Sequence, residues 1–184
     1  ARLIGRCSHI AGRPLRVFFA IFPNQAAQDQ LTRQTELLEP ICGGYKVKKT
    51  HLHLTLLFLG NVSIHRIEPL QEAMKAISEK EFEISLEVIG YWKKSQIIYM
   101  QAKRFPNELF SLVDSIKGKL SEAEFLFDER TFKPHITLIR KATRPARIEL
   151  PQPIQWHVNE WFLVQSKQTN QGINYIPLAQ WFLK

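Results

Sequence analysis

The chain carries His-x-Thr-Leu twice, each time inside a run of apolar and β-branched residues. One run is His51-Leu52-His53-Leu54-Thr55-Leu56-Leu57-Phe58-Leu59-Gly60, and the other is Lys133-Pro134-His135-Ile136-Thr137-Leu138-Ile139-Arg140. Both read as buried strands. Side chains i and i+2 of a strand share a face, so His53 and Thr55 face one way, as do His135 and Thr137. Leu54, Leu56, Ile136 and Leu138 then point the opposite way, into a core. A chain that twice sets an imidazole beside a hydroxyl on a rigid strand reads as one built to hold something between the two pairs.

The segments around the motifs supply strands and helices in turn. Arg16–Phe22 reads as a buried strand ended by Pro23. Asn24 is placed to cap a helix running to about Leu38, with Ala27, Leu31 and Leu38 inward and Pro40 and Gly43-Gly44 as its stop. A second helix is expected between Ser63 and Ser78, with Pro69 marking its first turn. Phe82–Val88 alternates and is answered by Ile97–Gln101 across Lys93-Lys94-Ser95, a hairpin. Leu109, Leu112, Val113, Ile116 and Leu120 mark one stripe of a third helix. After the second histidine strand comes a Pro- and Arg-rich loop from Arg144 to Pro153. Two final strands, around Trp156–Gln165 and Tyr175–Leu183, flank a turn at Lys167–Asn174. Interspersed helices with hairpins indicate an α+β fold rather than a parallel α/β sheet. The strand–helix–histidine-strand order recurs loosely, which suggests two similar halves.

The 184 residues fit one domain, or two small lobes sharing a core. We take residues 1–14, which show no periodicity, as an N-terminal extension or added residues, and 15–184 as a single bilobal domain. No apolar run reaches the roughly 18–20 residues that a spanning helix needs, so no membrane partner is expected. Lys and Arg number 25 against 17 Asp and Glu, a net charge of +8 that leans toward an anionic partner such as nucleic acid or a nucleotide. Cys7 and Cys42 show no metal-ligand spacing and no expected disulfide, which fits a reducing, cytoplasmic setting.

Lys46, Lys48 and Lys49 precede the first motif, and Lys133, Arg140, Lys141, Arg144 and Arg147 surround the second. The chemistry that suits two imidazoles among cations is attack on a phosphodiester. One imidazole takes a proton from water while the other gives one to the leaving oxygen, both near neutral pH. Threonine hydroxyls can donate to the non-bridging oxygens as charge develops on them, and an arginine can add a charge-assisted contact.

On these residues the chain resembles the 2H phosphoesterase superfamily, and within it the bacterial and archaeal RNA 2′,3′-cyclic phosphodiesterases, also described as 2′-5′ RNA ligases. The likeness rests on His53-Leu-Thr-Leu-Leu-Phe-Leu-Gly60, on Pro134-His-Ile-Thr-Leu-Ile-Arg140 82 residues further on, and on the first strand Arg16-Val-Phe-Phe-Ala-Ile. It implies two antiparallel sheets facing a central cleft, with helices outside and one histidine motif from each lobe. It also implies hydrolysis of a 2′,3′-cyclic phosphate to a 2′-phosphate without metal or nucleotide cofactor, by a monomer. The partner is then an RNA or oligonucleotide with a 2′,3′-cyclic phosphate end, or a cyclic nucleotide. Carried onto this chain, His53 is the general acid, His135 the base, and Thr55 and Thr137 bind phosphate oxygens. Arg140 matches a basic residue after the second motif. Strict alternation sets it on the face opposite His135, so it reaches the phosphate if the strand ends or bulges there. His51, by alternation on the face of His53, contacts substrate or lines the cleft.

Two other readings stay open at this point. His51-x-His53 with His135 is a conceivable metal set, although no Asp or Glu joins it. A binding module for a nucleotide or RNA end would use the same residues for recognition. Run in reverse, with a 5′-hydroxyl replacing water, the acid–base pair would join RNA ends, a minor activity against hydrolysis. Tyr91, Trp92, Trp156 and Trp161 could stack on bases, with core packing the simpler expectation for each.

Overall fold

Leu54 and Ile136 face each other across one antiparallel bridge, and that pair joins the two histidine strands. In the computed structural model, which describes residues 13–184, the chain runs β1 (Pro14–Ile21), α1 (Gln25–Cys42), β2 (Tyr45–Lys46), β3 (Leu54–Ser63), α2 (Ile64–Met74), β4 (Phe82–Trp92), β5 (Ile97–Gln101), α3 (Asn107–Glu122), β6 (Ile136–Arg140), β7 (Ile148–Val158), β8 (Glu160–Thr169) and β9 (Gly172–Phe182). Outward from the bridge one half runs β3-β1-β8-β9 and the other β6-β5-β4-β7, with β2 added to β6. Every pairing is antiparallel. The α+β architecture expected from the sequence is the one observed. Its two antiparallel halves meet through Leu54–Ile136, so they form one nine-stranded sheet rather than two separate ones.

One core binds the halves. Leu54, Leu56, Ile136 and Leu138 are fully buried against Ala27, Leu31 and Leu38 of α1, Leu70 and Met74 of α2, and the five apolar residues of α3 named from its periodicity. Asn24 caps α1 as expected, its side chain accepting the Ala27 N–H at 2.9 Å. Two prolines behave differently from the sequence expectation. Pro40 lies inside α1, which continues to Cys42, and Pro69 lies inside α2 rather than in its first turn. Each removes one helical N–H. The carbonyls that lose it, on Glu36 and His65, belong to exposed residues and can bond water.

The C-terminal third departs most. The segment expected as a loop, Arg144 to Pro153, holds the first half of β7, with Pro151 and Pro153 in it. A strand accepts proline at the edge of a sheet, and β7 is an edge strand. The single strand expected over Trp156–Gln165 is two: the chain breaks at Asn159, β7 pairs with β4 in one half, and β8 pairs with β1 in the other. The turn expected over Lys167–Asn174 shrinks to Asn170-Gln171. At the N-terminus β1 begins at Pro14, the last residue set aside from the fold, and Arg13 accepts the Ile64 N–H at 3.1 Å. Cys7 lies outside the described residues. Cys42 is a buried free thiol, and no described helix is long and apolar enough to cross a membrane.

Because Leu54 is fully buried at the joint between the halves, Leu54→Ala is expected to cost about 2–5 kcal/mol. Urea denaturation would measure the loss; a change under 1 kcal/mol would mean that the joint carries little.

Candidate active site

The two motifs are built alike. Before β3, a 3-10 turn over Lys49–His51 presents the His51 carbonyl, and His53 Nδ1–H donates to it at 2.7 Å. Before β6, His135 Nδ1–H donates to the Lys133 carbonyl, also at 2.7 Å. A carbonyl accepts only, so each bond fixes the proton on Nδ1 of the neutral ring and leaves Nε2 for chemistry. At the first motif Thr55 Oγ1 lies 3.1 Å from His53 Nε2. Leu54 and Ile136 pair with their side chains in the core, so the residues flanking them, His53 and Thr55 on one strand and His135 and Thr137 on the other, turn to the opposite face together.

The likeness extends into the strands. Ala20 pairs with Thr55 and Phe19 with Leu57, so Leu56 is bulged out of register. Tyr99 pairs with Thr137 and Ile98 with Ile139, so Leu138 is bulged at the same place. Each bulge shifts alternation by one residue, and both strands show two buried residues in succession, Leu56-Leu57 and Leu138-Ile139. The exposed residue that follows is Phe58 in one strand and Arg140 in the other. This is the bulge that the alternation argument required for Arg140 to return to the face of His135. The Arg140 charge acts on both imidazoles. The end of β6 is held by close backbone contact: a Cβ on Gly44 would lie 2.4 Å from the Arg140 carbonyl oxygen. Lys141 then turns the chain with φ of 54°.

The two imidazoles sit in unequal surroundings. His53 packs among Phe18 at 5.3 Å, Phe22 at 5.8 Å and Tyr175 at 5.1 Å between ring centroids. Burial pushes its pKa down to about 4; the His51 carbonyl bond opposes this, and the charges of Arg140, His135 and His51 add to it. His135 meets the edge of Trp92 at 4.6 Å, and Trp92 is stacked on Tyr99 at 4.2 Å. Its pKa is also lowered, by burial first, against the Lys133 bond and with Arg140. Tyr99 lies over Gly90, where an added Cβ would come 2.3 Å from the phenol oxygen, so Gly90 makes room for the ring that supports Trp92.

His51 lies in the 3-10 turn rather than in a strand, its ring 4.9 Å from Tyr175. Lys49 forms an ion pair with Asp29 of α1, which ties that turn down. Among the described residues no three His, Cys, Asp or Glu side chains converge as metal ligands. Of the aromatic residues considered for stacking, Trp156 and Trp161 are core, and Tyr91 donates to the Ala142 carbonyl. Trp92 is at the site. The sequence reading missed Tyr175, Phe18, Phe22 and Tyr99. Phe18 lies in β1 and Phe22 just after it, four residues on, but Tyr175 arrives from β9 and no local pattern announces it.

The buried neutral histidines make stability depend on pH. His53 is near 4 folded against 6.5 unfolded, so the unfolded chain binds the extra proton between these values. Stability is therefore full above 6.5 and lost as pH falls toward 4, by at most about 3 kcal/mol for this group. His51 and His135, also lowered, act in the same sense. The exposed His157, raised by the hydrogen bonds it donates to Glu81 and Glu83, acts in the opposite one. Urea midpoints across this range are expected to fall with acid, and His53→Gln is expected to remove most of the slope.

Comparison with known proteins places this geometry in a family. The model of the family described as LigT-like phosphoesterase matches residues 21–99. The RNA 2′,3′-cyclic phosphodiesterase of Escherichia coli (strain K12) is 30% identical over 172 residues, which covers 92% of this chain and 97% of that protein. The crystal structure of E. coli LigT in apo form superposes with a TM-score of 0.83 at 29% identity, covering 94% of this chain and 99% of that one. The crystal structure of E. coli LigT complexed with 3′-AMP superposes at 0.82, also at 29% identity, over 93% and 99%. The chain belongs to the LigT-like phosphoesterases, the 2H family to which its paired histidine strands pointed.

Proposed function

We propose that this protein hydrolyses the 2′,3′-cyclic phosphate at an RNA end to a 2′-phosphate, with its two histidines as acid and base and no metal ion. The observation that carries the reading is the pair of imidazoles on either side of one strand bridge, each locked through Nδ1 to the carbonyl two residues back. The activity named for the E. coli relative and the 3′-AMP complex of E. coli LigT support the same substrate class.

In this mechanism His135 Nε2 takes a proton from water as the water oxygen attacks phosphorus. The bond from phosphorus to the 3′ oxygen breaks, and His53 Nε2 gives that oxygen its proton. The products are a 2′-phosphate and a free 3′-hydroxyl, and the two imidazoles have exchanged protonation states. Thr55 and Thr137 donate to the non-bridging oxygens, and Arg140 neutralises their charge. A bound phosphate raises the pKa of the buried His53, which lets it carry the proton that it lacks in the empty site. His51 holds His53 through its carbonyl and lines the cleft with its ring. With a 5′-hydroxyl in place of water as nucleophile the same steps join two RNA ends through a 2′-5′ linkage, a minor activity against water.

His53→Ala and His135→Ala are each expected to lower kcat on 2′,3′-cyclic-ended RNA by about 10²–10⁴-fold, and the wild-type rate is expected to persist in EDTA. A 3′-phosphate product would mean that the other ester bond is cleaved, and loss of activity on chelation, restored by Zn²⁺ or Mn²⁺, would replace the metal-free mechanism.

Both imidazoles titrate below 6.5 in the free enzyme, His53 near 4. The pH profile of kcat/KM is therefore expected to be a bell with its maximum between these values. Arg140→Met removes a cation that lowers both, so its bell should move to higher pH even as its height falls. An unmoved profile would place Arg140 away from the reacting groups.

A further inference from the structure

Beside the catalytic face lies an open cavity of about 460 Å³, lined by the tip of the β8–β9 hairpin and by Lys48 and His51. It joins the active site through Tyr175, whose ring touches both His51 and His53. Its size falls in the range of sites that hold small molecules. Its lining is mostly polar: Thr169, Asn170, Gln171 and Asn174 from the hairpin, with Ile173 among them, and Lys48 and His51 across from it.

The hairpin tip is braced from within. Thr169 Oγ1 donates to the Gly172 carbonyl at 2.7 Å and accepts the Gln171 N–H at 3.2 Å. The turn backbone is thus served by Thr169, and the side-chain amides of Asn170, Gln171 and Asn174, residues that line the cavity, make no hydrogen bond to the described residues. Three amides and one cation match a ribose or base edge followed by a phosphate.

We propose that this cavity seats the nucleotide on the 5′ side of the cyclic end, with Lys48 on the phosphodiester that links the two and the hairpin amides on its ribose or base. The inference rests on the cyclic phosphodiesterase reading above. Chemistry sets the direction: a cyclic end has both its 2′ and 3′ oxygens tied to one phosphorus, so RNA continues from it through the 5′ oxygen alone. The cyclic phosphate has Arg140. A second cation, beyond His51, corresponds to a second phosphate, and a cyclic mononucleotide has none. An oligonucleotide of two or more residues is therefore favoured over a cyclic mononucleotide.

The test compares a 2′,3′-cyclic mononucleotide with a dinucleotide ending in the same cyclic nucleotide. The wild type is expected to show kcat/KM about tenfold or more higher on the dinucleotide, the scale of one charge-assisted contact. Lys48→Met and the double variant Asn170→Ala/Asn174→Ala should each lose most of that advantage while hydrolysing the mononucleotide at the wild-type rate, which also shows that they fold. Equal wild-type efficiency on the two substrates would overturn the proposal, as would variants that slow both substrates alike or neither. Failure to turn over either substrate would instead overturn the cyclic phosphodiesterase reading on which it rests.

Discussion

The Leu54–Ile136 bridge is the constraint from which the site follows. Two residues fully buried on one face of the sheet leave their neighbours no choice of face, so both His–Thr pairs emerge together on the other. Hydrogen bonding between the histidine strands stops at that pair. Each strand then takes its remaining partners from its own half, and each carries a bulge one residue beyond its threonine. The bulges keep the strands continuous while changing which residues face outward. Without that shift a buried residue would stand where Arg140 now does.

Equal frames carry unequal linings. Around His53 the side chains come from β1, the segment after it and β9, and they are mostly hydrocarbon. Around His135 a stacked Trp92–Tyr99 pair offers its edge, and part of the imidazole stays open. At the position matched by the bulges, one half places a phenyl ring and the other a guanidinium. Two copies of one backbone device thereby yield one imidazole strongly set against protonation and one less so.

How much of this was legible in the sequence depended on whether the signal was local. The cap at Asn24, the stripe of α3, the β4–β5 hairpin and the shared faces of His53/Thr55 and His135/Thr137 are all set by residues within a turn or two of each other, and they could be read directly. The break at Asn159 could not, because apolar alternation continues across it and nothing nearby says that β7 and β8 join opposite halves. Pro151 and Pro153 argued for a loop because the sequence does not say which strand lies at an edge. Arg140 was legible as a condition: alternation set out what had to happen, and a register shift against β5 supplied it. Tyr175 was invisible for the same reason as β8, since its neighbours in space are far away in the chain.

The exchange of strands at Asn159 also orders events during synthesis. The half that contains the first histidine motif draws on β1 and on β8 and β9, which come after the whole of the other half in sequence, whereas β4 to β7 are contiguous but for α3 and connecting segments. A nascent chain that has emerged through β7 therefore holds both motifs and a complete second half, yet β1 still presents a bare edge and His53 lacks the Tyr175 wall. Pairing of such distant segments is slow and leaves that edge open to strangers meanwhile. An enzyme built this way completes the wall around His53 only when the β8–β9 hairpin closes over β1.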